Sequence, residues 1–216
     1  MKVHLNKVHF PVTVLGPGRR LGIWFQGCSI HCQGCLSRDT WEFTAESKLP
    51  VAALLNLCRN LTGCQCPDGF TISGGEPFCQ PEALHELLLG LHAWRQISNA
   101  EADILCYSGF PASVLQQDYP ELLALLDVLI PEPFVEAGGD GLALRGSDNQ
   151  PLLVLTPLGE KRFASLMTAP REDRMQVLAD GNRLWHIGIP YREALIRYEN
   201  LCRKRGLIME DLSWRA

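Results

Sequence analysis

Three cysteines within eight residues, Cys28, Cys32 and Cys35 in the run Cys-Ser-Ile-His-Cys-Gln-Gly-Cys, constrain this chain more than any other feature. Their C-x3-C-x2-C spacing places three thiols in one loop. Residues 21–25, Leu-Gly-Ile-Trp-Phe, read as a strand that enters a turn at Gly27 just before them. A loop leaving the C-terminal end of a parallel strand is where open α/β folds hold ligands. The chain has nine cysteines, an odd number that internal disulfides cannot wholly consume, and residues 1–7 lack the apolar stretch of a signal peptide. Reduced thiols in a cytoplasmic protein are therefore expected, and a clustered set of them reads as metal-binding or catalytic.

Two kinds of metal centre fit such a loop. A structural zinc site closes with four ligands, and His31 could be the fourth, although it sits awkwardly inside the cysteine spacing. A four-iron cluster is usually held by four cysteinates, so three leave one iron open, and an open metal position is the mark of a catalytic centre.

Periodicity supplies the fold class. Apolar residues recur at helical spacing in Val51, Leu54, Leu55 and Cys58, again in Leu84, Leu87, Leu88 and Leu91 behind Pro81 and Glu82, and around residues 122–126. Between these lie strand-like runs at residues 70–72, 102–107 and 127–130, each bounded by glycine, serine or proline. Alternation of strand and helix predicts an α/β fold with a mostly parallel sheet, since each parallel pairing needs a crossover. Residues 136–150, rich in glycine with a Ser-Asp-Asn cluster, predict a loop. Residues 175–179 and 183–187 flank Asp180-Gly181-Asn182 as a hairpin, and Tyr191, Ala194, Leu195, Tyr198 and Cys202 share one face of a last helix. At 216 residues, without internal repeats or a long linker, the chain reads as a single domain over 1–216, with its core motifs in 16–150 and a C-terminal hairpin and helix in 151–216.

Hydrophobic residues at 46% and charged residues at 20% argue against extended disorder, and a net charge of −4 gives no footprint for nucleic acid. No run approaches the ~20 apolar residues of a membrane span. Neither nucleic acid nor membrane is an expected partner.

With the cysteine loop, five further segments resemble the radical S-adenosylmethionine enzymes. Thr71-Ile72-Ser73-Gly74-Gly75-Glu76-Pro77 is similar to the family's Gly-Gly-Glu segment, and Gly16-Pro17-Gly18-Arg19-Arg20 ahead of Gln26-Gly27-Cys28 looks like the opening of the small glycyl-radical-enzyme activating proteins. Tyr107-Ser108-Gly109, the run from Asp127 to Phe134, and Gly146-Ser147-Asp148-Asn149-Gln150 resemble further segments of that subgroup; Pro131-Glu132 departs from its usual Asp-Gly. The resemblance implies an open partial (β/α)6 barrel and a [4Fe-4S] cluster on Cys28, Cys32 and Cys35. It implies S-adenosylmethionine held by Ser73, Gly74, Gly75, Glu76, Tyr107, Ser108, Gly109 and Asp127, with the Glu76 carboxylate accepting from its ammonium group. The partners it implies are a glycyl radical enzyme, whose backbone glycine loses a hydrogen atom, and an electron donor such as flavodoxin or ferredoxin. Alternative substrates are a peptide, a nucleoside or a small molecule; a zinc or iron-sulfur protein without catalysis is the remaining class.

Cys58, Cys106 and Cys202 read as core packing, the usual role of a buried thiol. Cys64, Cys66 and Cys79 match no two-cluster ferredoxin run, and the singly scattered histidines and most of the tryptophans read as surface or core residues.

Overall fold

The computed structural model describes residues 1–136 and 141–215. Positions 137–140 of the predicted 136–150 loop lie outside the described residues.

Strand β1 (Lys2–Val12) leads antiparallel into β2 (Arg20–Phe25), which ends at the cysteine loop. The short β3 (Lys48–Pro50) pairs with the outer side of β1, and α1 (Val51–Leu61) then crosses to β4 (Gly69–Gly74). From there α2 (Pro81–Ile97) leads to β5 (Asp103–Tyr107), and the short α3 (Ala112–Asp118) and α4 (Pro120–Leu123) lead to β6 (Val128–Ile130). A two-residue β7 (Leu153–Val154), α5 (Pro157–Phe163), a hairpin of β8 (Met175–Asp180) and β9 (Arg183–Gly188), and α6 (Arg192–Lys204) complete the elements.

Seven strands form one sheet in the order β3-β1-β2-β4-β5-β6-β7, and β8-β9 stand apart. Strands β2, β4, β5 and β6 are mutually parallel, whereas β1, β3 and β7 add antiparallel edges. The α/β expectation holds at this level.

The buried faces of α1 to α4 supply Leu54, Leu84, Leu88, Leu115 and Leu122 to the main core, against Leu21, Ile23, Phe25, Phe70, Ile72 and Ile104 of the sheet. All the parallel crossovers therefore cover one face, as uniformly right-handed connections require. Alternation along β2 sends Arg20 and Trp24 to the opposite face. There α5 packs through Phe163, and the hairpin seats Trp185 edge-on against Trp24 at 5.0 Å. Helix α2 begins with Pro81 at its first position, where a missing N–H costs nothing, and carries Glu82 and Arg95 at the ends that suit its dipole.

The second face buries charge. Arg20 is fully buried and donates to both oxygens of Asp103 (3.1 and 2.5 Å), to the Thr71 hydroxyl (2.6 Å) and to the Phe70 carbonyl (2.6 Å), while Arg162 pairs with the same Asp103. The second arginine of the Gly-Pro-Gly-Arg-Arg segment thus bolts the N-terminal ends of β2, β4 and β5 together. Strand β1 was hidden from the periodicity because its register shifts between Leu5 and Lys7, which breaks the alternation of apolar residues that marks a strand.

Candidate metal centre at the C-terminal rim

The loop after β2 is stitched down at both ends. Gly27 N–H donates to the Thr40 carbonyl (2.7 Å) and Cys28 N–H to the Trp41 carbonyl (2.9 Å), so residues 28–40 close into a lobe carrying all three cysteines. The three thiols are free and partly buried. Burial pushes the Cys28 thiol up, opposed by the backbone N–H groups of His31 and Ile30; burial likewise pushes Cys35 up, opposed by the Ser37 N–H and the Trp41 side chain. Donors turned toward sulfur favour the thiolate, which is the ligating form. Among the described residues no trio of His, Cys, Asp or Glu is gathered around a point for one ion. A four-iron cluster spreads three thiolates over three irons, so three free cysteines with preset N–H donors fit it by the chemistry of the donor set.

The Gly-Gly-Glu segment forms the floor beside this loop. Gly75 N–H donates to the Phe25 carbonyl (2.9 Å) and Glu76 N–H to the Gly27 carbonyl (2.8 Å). Both glycines are forced by that approach: a Cβ on Gly75 would stand 2.2 Å from the Gly27 oxygen, and Gly74 has φ of +107° with backbone of Phe25 2.4 Å from where a Cβ would be.

Glu76 requires a correction. Expected to present its carboxylate to an ammonium group, it is fully buried and already accepts from Phe78 N–H (2.9 Å), Ser108 Oγ (2.9 Å) and Gly109 N–H (2.7 Å). Burial raises its pKa to about 7 against the pull of these three donors. Glu76 therefore ties the ends of β4 and β5 together. A Cβ on Gly109 would meet the Ile30 side chain at 2.6 Å, so the cysteine loop, residues 74–76 and residues 108–109 converge on one rim. Ser73, Gly74, Gly75, Tyr107 and Gly109 keep partial exposure there, and Ser108 is buried.

Asp127 is the second correction. It precedes β6 rather than following it, so it lies at the N-terminal end of the parallel strands, across the sheet from the rim. Its N–H donates to the Ile104 carbonyl near the start of β5, and its carboxylate accepts from Arg95 (2.8 Å), Ile104 N–H (2.9 Å) and Thr156 Oγ1 (2.5 Å). The true rim residues of β6 are those after Ile130. Glu132 stands at φ +82°, donates its N–H to the Phe110 carbonyl (3.0 Å) and accepts at its carboxylate from Ala112 N–H (2.9 Å). The Gly146–Gln150 turn clamps this rim: Gln150 donates to the Glu132 carbonyl (2.8 Å), Asn149 to the Pro133 carbonyl (2.8 Å), and Ser147 Oγ accepts from Val135 N–H (3.1 Å).

Of the other cysteines, Cys58, Cys106 and Cys202 are buried, as expected. Cys79 sits by the cysteine loop, its sulfur 3.1 Å from Ser29 Oγ, while Cys64 and Cys66 precede β4 at the far end of the sheet. Residues 36–42 carried no signal in the sequence reading. In the structure they meet the C-terminal tail, where Ser213 Oγ donates to the Leu36 carbonyl (2.8 Å) and Arg38 to the Arg215 carbonyl (3.2 Å).

An α/β sheet with three free thiols on a rim loop, one of them receiving the Ser37 N–H at 3.4 Å, suits the class of iron-sulfur proteins. The family model described as a 4Fe-4S single cluster domain matches residues 14–153. Among curated proteins, the chain is 31% identical over 153 residues to the anaerobic ribonucleoside-triphosphate reductase-activating protein of Salmonella typhimurium, covering 66% of this chain and 93% of that one. The proteins of the same name from Vibrio cholerae (28% over 145 residues, 66% and 92%) and phage T4 (30% over 139 residues, 64% and 86%) are comparably similar. The chain belongs to the family of these 4Fe-4S activating proteins.

Proposed function

We propose that this protein is a radical S-adenosylmethionine enzyme that generates a glycyl radical on a partner enzyme. The observation that carries this reading is the rim itself: Cys28, Cys32 and Cys35 on one loop, abutting Gly74-Gly75-Glu76 and Ser108-Gly109, in a chain that covers nearly the whole length of its activating-protein relatives. With cluster and cosubstrate bound, one electron cleaves S-adenosylmethionine to methionine and a 5′-deoxyadenosyl radical, which takes a hydrogen atom from the glycine Cα and leaves as 5′-deoxyadenosine. The chain's own residues bind and orient. The cysteines ligate three irons, the partly exposed backbone of residues 73–75 with Tyr107 and Gly109 lines the cosubstrate side, and Glu76 holds these segments in register from beneath. The electron comes from a donor of the flavodoxin or ferredoxin type.

Helices on one face of four parallel strands support an open partial (β/α)6 barrel, with those four strands as its core units and the antiparallel strands as its margins. One domain and a cytoplasmic location belong to the same reading; among the described residues no helix is long and apolar enough to cross a membrane.

Mixing the anaerobically reconstituted protein with S-adenosylmethionine, a reductant and a candidate anaerobic ribonucleoside-triphosphate reductase should give a glycyl doublet in electron paramagnetic resonance, lost when the acceptor glycine is changed to alanine. Absence of the doublet alongside consumption of a peptide or nucleoside would replace this substrate with another. That second reading has one observation in its favour: residues 154–215 lie outside the family match, and part of them rests on the cysteine loop.

A further inference from the structure

Apart from a single 3-10 turn at Arg38–Thr40, the lobe that carries the three cysteines has no regular structure of its own, and the segment after α6 reaches across to hold it. Ser213 Oγ donates to the Leu36 carbonyl at 2.8 Å, and Arg38 donates to the Arg215 carbonyl at 3.2 Å. On the same lobe Arg192, the first residue of α6, pairs with Glu136 and lies so near that a Cβ on Gly34 would stand 2.9 Å from its guanidinium. Gly34 separates Cys32 from Cys35, so the C-terminal elements touch the stretch that carries two of the three thiols.

The tail has an anchor separate from the lobe. Trp214 Nε1 donates to a Glu199 carboxylate oxygen at 2.7 Å, Arg215 Nε donates to the same oxygen at 3.3 Å, and the Trp214 ring meets His186 of β9 edge-on at 5.0 Å. Glu199 is buried on α6, and the donors that match its charge, Trp214 and Arg215, both come from the tail. Between α6 and this anchor the chain is loosely held. Residues 207–211 form no helix or strand, Gly206 and Asp211 have φ of +77° and +50°, and Leu207 and Ile208 are exposed. An open cleft of ≈ 340 Å³ runs between Arg38, Asp39 and Trp41 on the lobe and Asp211, Leu212 and Ser213 on the tail. A segment fixed at its far end by a few contacts, with little along its length, opens at far lower free energy than a core strand.

We propose that residues 206–215 form a strap that docks through Trp214 on Glu199 and His186, holds the cysteine lobe closed and slows the loss of metal from it. The strap lies outside residues 14–153, the stretch matched by the family model. Where it concerns metal, the inference rests on the cluster reading given above.

The test uses the full-length protein. Trp214→Ala removes the anchor, and Arg215→Ala, at a half-exposed side chain, weakens it without touching the core. Hydrogen–deuterium exchange of the metal-free proteins, read by mass spectrometry, compares the tail and residues 29–40 with α2 and β4. In both variants the tail and residues 29–40 should exchange several-fold faster, with α2 and β4 unchanged. A tail that exchanges faster while residues 29–40 keep their rate overturns the inference, and so does a tail unaltered in both variants. If Trp214→Ala loosens α2 and β4 as well, Arg215→Ala alone decides. After anaerobic reconstitution with iron and sulfide, all three proteins should hold full iron, and both variants should surrender it to a chelator several-fold faster; equal release rates also overturn the inference. Failure of the unaltered protein to take up iron would instead sink the cluster reading, and the exchange comparison would still decide the strap.

Discussion

Glu76→Gln separates the charge of a buried carboxylate from its shape. In the folded protein Glu76 is fully buried and its pKa stands at about 7 instead of 4.5, so it binds a proton more tightly than the same residue in the unfolded chain. Between these values the native state holds more protons than the unfolded state, and stability falls as pH rises. The contribution is complete below pH 4.5 and lost as pH passes upward through about 7; at 1.36 kcal/mol per tenfold change in proton affinity, it amounts to about 3 kcal/mol. Glutamine at this position carries no charge at any pH. It also replaces one accepting oxygen with an NH2, leaving Phe78 N–H or Gly109 N–H without its acceptor, at a cost of about 1–3 kcal/mol that does not depend on pH. Urea unfolding of the metal-free protein and the variant, both at pH 5 and pH 8, gives the difference between them at each pH. The variant's deficit should shrink, or reverse, at pH 8 relative to pH 5. An equal deficit at both would refute the argument that Glu76 is strained by its charge.

Alanine at Cys28, Cys32 or Cys35 should abolish the broad cluster absorbance near ~400 nm, where cysteinate-iron charge transfer lies; Cys58→Ala, in the α1 core, should leave iron content unchanged. Arg20→Met should cost about 3–5 kcal/mol in denaturant unfolding, because it strips a fully buried Asp103 of two hydrogen bonds, and Arg20→Lys should not restore them, since a single ammonium cannot reproduce the fork. Asp127→Ala should lower stability on the order of 3 kcal/mol by taking the carboxylate from Arg95 and leaving Ile104 N–H without its acceptor, yet leave S-adenosylmethionine affinity, measured by equilibrium dialysis, unaltered.

Residues whose role follows from near neighbours in the chain were readable before the fold was known. The spacing of Cys28, Cys32 and Cys35 puts them in one loop whatever surrounds them, and the apolar repeats at residues 84–91 and the runs at 70–72 and 102–107 record burial directly. Gly74 and Gly75 stand out in the sequence as part of the Gly-Gly-Glu segment, and in the structure the chain's own backbone comes close to both, Phe25 at Gly74 and Gly27 at Gly75. The tertiary structure decided the rest. Asp127 sits at the wrong end of its strand for a rim residue: the run at 127–130 already put it at the strand's start, and only the family resemblance placed it at the cosubstrate. Glu76 looked like a ligand-facing carboxylate until β5 brought Ser108 and Gly109 to it from more than thirty positions away. Trp41 had no pattern of its own, because its stack on His31 depends on a loop closing back so that residue 41 meets residues 28 and 31. Local sequence specifies which groups are chemically able to act; which of them meet, and which are consumed in holding the others, depends on contacts between distant segments that only the folded chain creates.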